Sequence, residues 1–288
     1  MLQSVLDKRW SERRERAQEL AARWSFAAEV LGFYANLLGV QERAFDAALG
    51  DRPTAEALAS YVTERVLPGV IDASVASGPP AMTESILSSF HEGDFEQTIA
   101  AWVRGDDLSP VERYLARASA GPVIEALGAA VVSNSPASDD RHCPTCGGSP
   151  QVSYFAPSPE DLVTARRYLL CSRCATVWPF ARLTCASCGE NEAKSLSIFG
   201  EIGTTQAEIS ESIIKARGES KRVPNLPVAH FPHMRVDGCK VCSKYLLSLD
   251  LERDPRAVPI VDEIAAIPLS LYAAERGLSK IVPNLMGF

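Results

Sequence analysis

Apolar residues recur at intervals of three and four along the first forty positions, at Trp10, Ala17, Leu20, Ala21, Trp24, Ala27, Ala28, Leu31, Tyr34, Leu37 and Leu38. That spacing lines one face of an α-helix and predicts helical structure buried along that face. Pro53-Thr54 is read as the opening of a second helical segment carrying Leu58, Tyr61, Val62 and Val66, with Pro68-Gly69 closing it. Asp94 stands three residues before Gln97, and Ser109 is followed by Pro110 and Glu112, both patterns that start helices. A last helix of this half is expected to follow Gly121-Pro122. The aromatic stripe is assigned to core packing. After Ser133–Asp140, a small and polar linker, the period changes. Gln151–Ala156, Arg166–Leu170, Thr176–Leu183, Lys194–Phe199, His233–Val236 and Tyr245–Leu251 are short runs with strand character. Residues 201–229 form a long polar insert ending in Lys215, Arg217, Lys221 and Arg222, best read as a solvated loop. Helical spacing returns over Ile260–Arg276 and stops at Gly277.

At 288 residues the chain is long for one domain, since domains hold roughly 100–200 residues. Its 46% hydrophobic and 23% charged content is that of a globular protein. No apolar run approaches the roughly 20 residues a membrane span needs. The amino terminus turns charged at Lys8, Arg9, Glu12 and Arg13 without an apolar stretch and small-residue cleavage site, so a cytoplasmic protein is expected. Net charge is −7. All of it belongs to residues 1–138, where 12 Lys and Arg face 19 Asp and Glu; the remainder holds 17 of each. Nucleic-acid binders draw most of their affinity from a basic face, so that class is disfavoured.

All eight cysteines lie in the second half, in four Cys-x-x-Cys pairs: Cys143/Cys146, Cys171/Cys174, Cys185/Cys188 and Cys239/Cys242. Reduced cytosolic cysteines at this spacing make metal knuckles, and two knuckles supply the four corners of one tetrahedral site. The rival reading, a redox dithiol, needs a strand-to-helix setting, whereas these pairs precede strand-like sequence. Gly147 and Gly189 follow the first and third knuckles. A glycine there permits positive φ and lets backbone N–H groups face the sulfurs, so each module is expected to begin with such a knuckle. Twenty-four residues separate Cys146 from Cys171, ten separate Cys174 from Cys185, and fifty separate Cys188 from Cys239. Sequential pairing is therefore expected, with interleaved, RING-like pairing as the alternative. Four thiolates suit zinc or a single iron equally and leave no open position for a metal-bound water. His91, His142, His230 and His233 are not needed as ligands. No phosphate loop, nucleophile elbow or other catalytic constellation is visible.

Four stretches carry a resemblance: Cys143-Pro-Thr-Cys-Gly-Gly-Ser-Pro150, Arg167-Tyr-Leu-Leu-Cys-Ser-Arg-Cys174, Trp178 with Arg182-Leu-Thr-Cys-Ala-Ser-Cys188, and Asp237-Gly-Cys-Lys-Val-Cys-Ser-Lys-Tyr-Leu246. In this order they resemble the formate dehydrogenase accessory proteins of the FdhE type. The resemblance implies a non-catalytic cytoplasmic protein that binds the catalytic subunit of respiratory formate dehydrogenase. It also implies rubredoxin-like iron sites on the eight cysteines, with zinc as the alternative metal. The insert 201–229 departs from the family's layout and leaves the partner surface there open. The expected architecture is α+β: a helical domain over 1–135, a rubredoxin-like or zinc-ribbon-like module over 141–184, and a second over 185–288 with the insert and a C-terminal helix. A homodimer is compatible with this layout. The rival functions are a zinc-ribbon protein for nucleic acid and a rubredoxin-like electron carrier.

Overall fold

The structure, a computed structural model, describes residues 2–132, 139–157, 165–202 and 228–288. Most of the insert 201–229 and of the linker 133–140 lies outside the described residues. Helix α1 (Leu2–Arg23) ends where Trp24 turns extended. A single 3-10 turn then leads into α2 (Ala28–Asp51), so the long apolar stripe folds back as two helices. Helices α3 (Leu58–Arg65), α4 (Leu67–Ser77), α5 (Pro80–Glu92), α6 (Phe95–Arg104) and α7 (Pro110–Leu127) follow. Both expected caps form. Asp94 accepts the N–H of Gln97 at 3.0 Å, and Ser109 and Glu112 make a reciprocal capping box.

Some helix boundaries differ from expectation. Pro68 starts α4 rather than closing its predecessor, because the first helical turn has no use for the missing N–H. Helix α7 runs straight through Gly121-Pro122. Proline leaves the carbonyl four residues earlier without its helical partner, and here Ala118 O accepts Gln41 Nε2 of α2 at 3.0 Å instead. A buried side chain on another helix thus replaces the lost bond. The closing helical segment also divides at Ala266, ahead of Pro268, into α8 (Pro259–Ala265) and α9 (Ile267–Glu275).

The strands β1 (Pro150–Ala156), β2 (Arg166–Cys171), β3 (Val177–Phe180), β4 (Leu196–Phe199), β5 (Met234–Cys239), β6 (Lys244–Asp250) and β7 (Ser279–Lys280) form one seven-stranded sheet. Its order is β3-β2-β1-β6-β5-β4, with β7 beside β6. Each half is an antiparallel hairpin with an extra strand. The halves join by parallel pairing of β1 with β6, Val152 opposite Leu247 and Phe155 opposite Asp250. Alternation along the strands sends Val152, Val236, Leu247 and Leu249 into one core with Trp10, Leu20, Leu31 and Phe45 of the first helices and Val261 and Ile264 of α8. Trp10 meets Phe45 edge-on at 5.6 Å. A second core joins α2 to α7 with Leu169, Trp178 and Phe180 of the sheet.

Charged groups close the seam between α1 and the C-terminal helices. Arg16, 3% exposed, gives Nε–H to Asp262 Oδ2 at 3.0 Å and Nη2–H to Asp254 Oδ2 at 2.7 Å. Asp262 also accepts Val258 N–H at 2.8 Å and lies 3.0 Å from His233 Nε2. Beside them, Lys280 of β7 pairs with the buried Glu263, which also accepts Gln151 Nε2 of β1. Removing one member of such a buried set strands the others without compensation. Asp262→Ala is expected to cost about 3–5 kcal/mol, read as a lower urea midpoint, and Asp262→Asn less. An unchanged midpoint in the alanine variant would contradict this account of the seam.

Candidate metal centres

Cys143 and Cys146 lie on a turn leading into β1, and Cys171 closes β2 with Cys174 in the turn before β3. Their sulfurs converge: Cys143 Sγ is 3.5 Å from Cys174 Sγ, and Cys146 Sγ is 3.4 Å from Cys171 Sγ. Cys185, Cys188, Cys239 and Cys242 gather likewise, with Cys185–Cys242 at 3.7 Å and Cys188–Cys239 at 3.8 Å. The pairing is sequential. A tetrahedron with metal–sulfur bonds of about 2.3 Å has edges of about 3.8 Å, while a disulfide needs about 2.05 Å. Both sets therefore have the dimensions of a four-thiolate metal cage, and the donors are all soft sulfur, which suits zinc or iron.

The backbone builds three of the four knuckles the same way. Thr145 N–H, Arg173 N–H and Ser187 N–H point to the sulfurs of Cys143, Cys171 and Cys185 at 3.4, 3.3 and 3.4 Å. Cys143, Cys171 and Cys185 close the loops by donating to the carbonyls of Gly148, Thr176 and Glu190. After the second cysteine the chain takes positive φ at all four knuckles, at Gly147 (67°), Ala175 (53°), Gly189 (81°) and Ser243 (53°). Glycine does so freely, whereas Ala175 and Ser243 adopt it at a cost of roughly 1–2 kcal/mol each. The turn is thus a property of the knuckle, and glycine marks only two of its four occurrences.

The two cages differ in surroundings. All four sulfurs of the first belong to buried residues inside the core shared with α2 to α7. Gly148 lies against it: a Cβ there would stand 3.0 Å from Cys171 Sγ and 3.2 Å from Cys146 Sγ. Arg173, within the second knuckle, reaches the C-terminal end of α6, where Nη1–H donates to Val103 O at 3.3 Å. In the second cage Cys185 and Cys239 are buried, Cys242 is partly exposed and Cys188 is exposed. Without metal, hydrogen bonds from its neighbours hold the Cys143 thiol far below its usual range, and donating to Cys143 pushes Cys146 far above. Burial pushes Cys185 up to about 12. The free cages therefore hold protons that a metal must displace, so metal retention weakens as pH falls.

Three arginines that the sequence reading left without a role brace the cages. Besides Arg173, Arg141 donates to Ser187 O of the third knuckle at 2.9 Å, tying the approach to the first cage to the second. Arg167 is 3% exposed and lies between the cages. It donates to Thr184 O at 2.9 Å in the ten-residue connector and faces Asp237 Oδ2 at 3.3 Å on β5. Asp237 also accepts Ser248 Oγ–H at 2.6 Å. The available signal was an arginine at an inward position of a strand. Trp178 packs in the sheet, as expected, with Nε1–H on Asp140 O at 2.8 Å. Arg182 lies over the Phe155 ring.

His142, His230 and His233 stay outside both cages. His142 pairs with Asp139 at 2.8 Å, His230 lies against Trp24 with ring centres 4.6 Å apart, and His233 contacts Asp262. His233, Asp254 and Asp262 come within 4.8 Å of one another. Arg16 already occupies that space as the carboxylates' cation.

Residues 142–182 match the family model described as "FdhE, central domain". A protein FdhE homolog of Aquifex aeolicus is 27% identical over 213 residues, covering 73% of this chain and 65% of that relative. One from Pseudomonas putida is 24% identical, covering 93% of this chain and 84% of its own length. One from Pseudomonas aeruginosa is 28% identical over 50% of this chain and only 38% of its own length. The chain thus spans less than two thirds of several curated relatives it matches. The crystal structure of the FdhE protein from Pseudomonas aeruginosa superposes with a TM-score of 0.59 at 22% identity, covering 96% of this chain and 94% of that one. At that identity the likeness speaks for the fold.

Loaded with zinc and challenged by a chelator, the protein is expected to lose metal in two phases. The cage around exposed Cys188 empties first, and Gly148→Val selectively accelerates the slow phase. Simultaneous release from both cages, followed by a thiol-reactive dye and peptide mapping, would contradict the difference in burial.

Proposed function

We propose, from this chain's similarity to FdhE proteins, that it is a non-catalytic accessory protein needed for active formate dehydrogenase. In this reading it binds the catalytic subunit of that enzyme in the cytoplasm. It carries two metal ions, iron or zinc, one on Cys143, Cys146, Cys171 and Cys174 and the other on Cys185, Cys188, Cys239 and Cys242. The observation that carries the reading is the pair of four-sulfur clusters within a fold matched over nearly its whole length by an FdhE protein. Four thiolates fill the coordination shell of a tetrahedral ion, which leaves a metal no position for substrate and suits it to shaping a surface. Among the described residues, no helix is long and apolar enough to cross a membrane. The acidic first half would speed encounter with a basic patch on the partner at low salt.

One observation favours a second reading. The exposure of Cys188 brings the second cage to the surface, where a bound iron could exchange electrons with a partner. The deletion strain separates the two. An accessory role predicts that the catalytic polypeptide is still made but formate oxidation is lost. It also predicts that tagged protein captures that polypeptide and that Cys143→Ser or Cys239→Ser copies the deletion. Normal formate oxidation without capture would remove the accessory reading, and zinc-loaded protein that fully restores activity would remove the electron carrier.

A further inference from the structure

On the helical side a cleft of about 710 Å³ opens between α2, α5, α7 and the residues after β7. Its walls are mainly apolar, with Phe33 of α2, Met82 of α5, Val111 of α7 and Leu285 among them, and Glu29 and Arg113 also line it. Two polar side chains on its lining are nine-tenths buried or more and short of partners. Asn284 is 4% exposed. Its Oδ1 accepts the N–H groups of Met286 and Phe288 at 2.9 and 3.1 Å, which fixes the amide's orientation. Its Nδ2 is then left buried without an acceptor. Arg117 is 9% exposed and donates to one acceptor, Pro283 O, at 2.7 Å.

Among the described residues no carboxylate comes within ion-pair distance of Arg117; burial pulls its pKa below the ordinary value, and Glu263 and Cys171, which act on it at longer range, offset this in part. Arg117 also lines an inner cavity of about 50 Å³. The carboxylate there, Glu125, is already held by Arg9 and Arg13. Buried charges and amides without partners are costly, and the same cost makes them selective once a ligand supplies acceptors. Both groups here are donors. Arg117 belongs to residues 1–138, whose net charge is −7, and Asn284 to the remainder, whose charges balance; together the two donors form a local site for an anion.

We propose that this cleft docks an apolar peptide segment of a partner protein, with an Asp or Glu side chain of that segment seated on Arg117 and Asn284. The volume lies toward the upper end of the roughly 300–1,000 Å³ of ligand pockets. A groove between helices, open along one side, takes an amphipathic segment by its apolar face. The inference rests on the accessory reading only for the identity of the partner.

The test uses the full, metal-loaded chain and a synthetic library of apolar decapeptides carrying one Asp, beside the same library with Asn. Asp peptides are expected to bind, with the Asn versions at least about tenfold weaker. Arg117→Met and Met82→Trp should each weaken binding by a similar factor, with metal content and circular dichroism unchanged. Met82→Trp blocks the cleft from the opposite wall and keeps the test sharp if the Arg117 variant fails to fold. Peptide binding indifferent to both variants, or binding of dodecanoate alone, would overturn the proposal. So would capture of the formate dehydrogenase catalytic subunit that Met82→Trp leaves undiminished, an outcome under which the accessory role itself survives. Library binding with no capture of that subunit would instead support the cleft and count against the accessory role.

Discussion

Sulfurs packed 3.4 to 3.8 Å apart tolerate few negative charges among themselves. In the absence of a cation they share protons, and the Cys143 and Cys146 thiols are driven in opposite directions by one hydrogen-bonded set. A divalent metal would replace those protons with four bonds and leave a net charge of −2 on each cage. The rest of the second half is arranged around that condition. Backbone N–H groups point at the sulfurs, left-handed residues turn the chain after each knuckle, and Arg141, Arg167 and Arg173 bring positive charge within the adjoining shell. Structural metal sites of this kind contribute folding free energy directly, because the unfolded chain has no site to offer.

The cages are also embedded in the larger fold. Parallel pairing of β1 with β6 makes a single sheet of the two hairpins, and Arg167 stitches the connector to β5 beneath it. One face of the sheet completes a core with α1, α2 and α8, and the first cage completes another with α2 to α7. The second cage sits toward solvent. A metal in the first cage would hold the body together, and one in the second would shape an accessible surface.

Much of this was legible in the residues themselves. Knuckle spacing and interval lengths pointed to sequential pairing, alternation located six of the strands to within a few residues, and the caps at Asp94 and Ser109 marked true helix starts. The features that escaped have long-range causes. Nothing near Pro122 says that α7 continues, because the compensating donor, Gln41, is 77 residues away. Nothing near Arg16 announces Asp262, 246 residues on. The β1–β6 pairing has no local signal, since alternation tells which face a strand buries but not which strand lies beside it. The cleft was invisible for the same reason: Arg117 and Asn284 carry no motif and become unusual only once folding buries them without partners.

The account's central claim is that eight cysteines form two closed metal cages. X-ray absorption at the metal edge, combined with elemental analysis of protein purified without added metal, tests it most directly. The account predicts two metal ions per chain, each with four sulfur neighbours at about 2.3 Å and no nitrogen or oxygen in the first coordination shell. A single ion per chain, or a shell completed by nitrogen or oxygen, would contradict it.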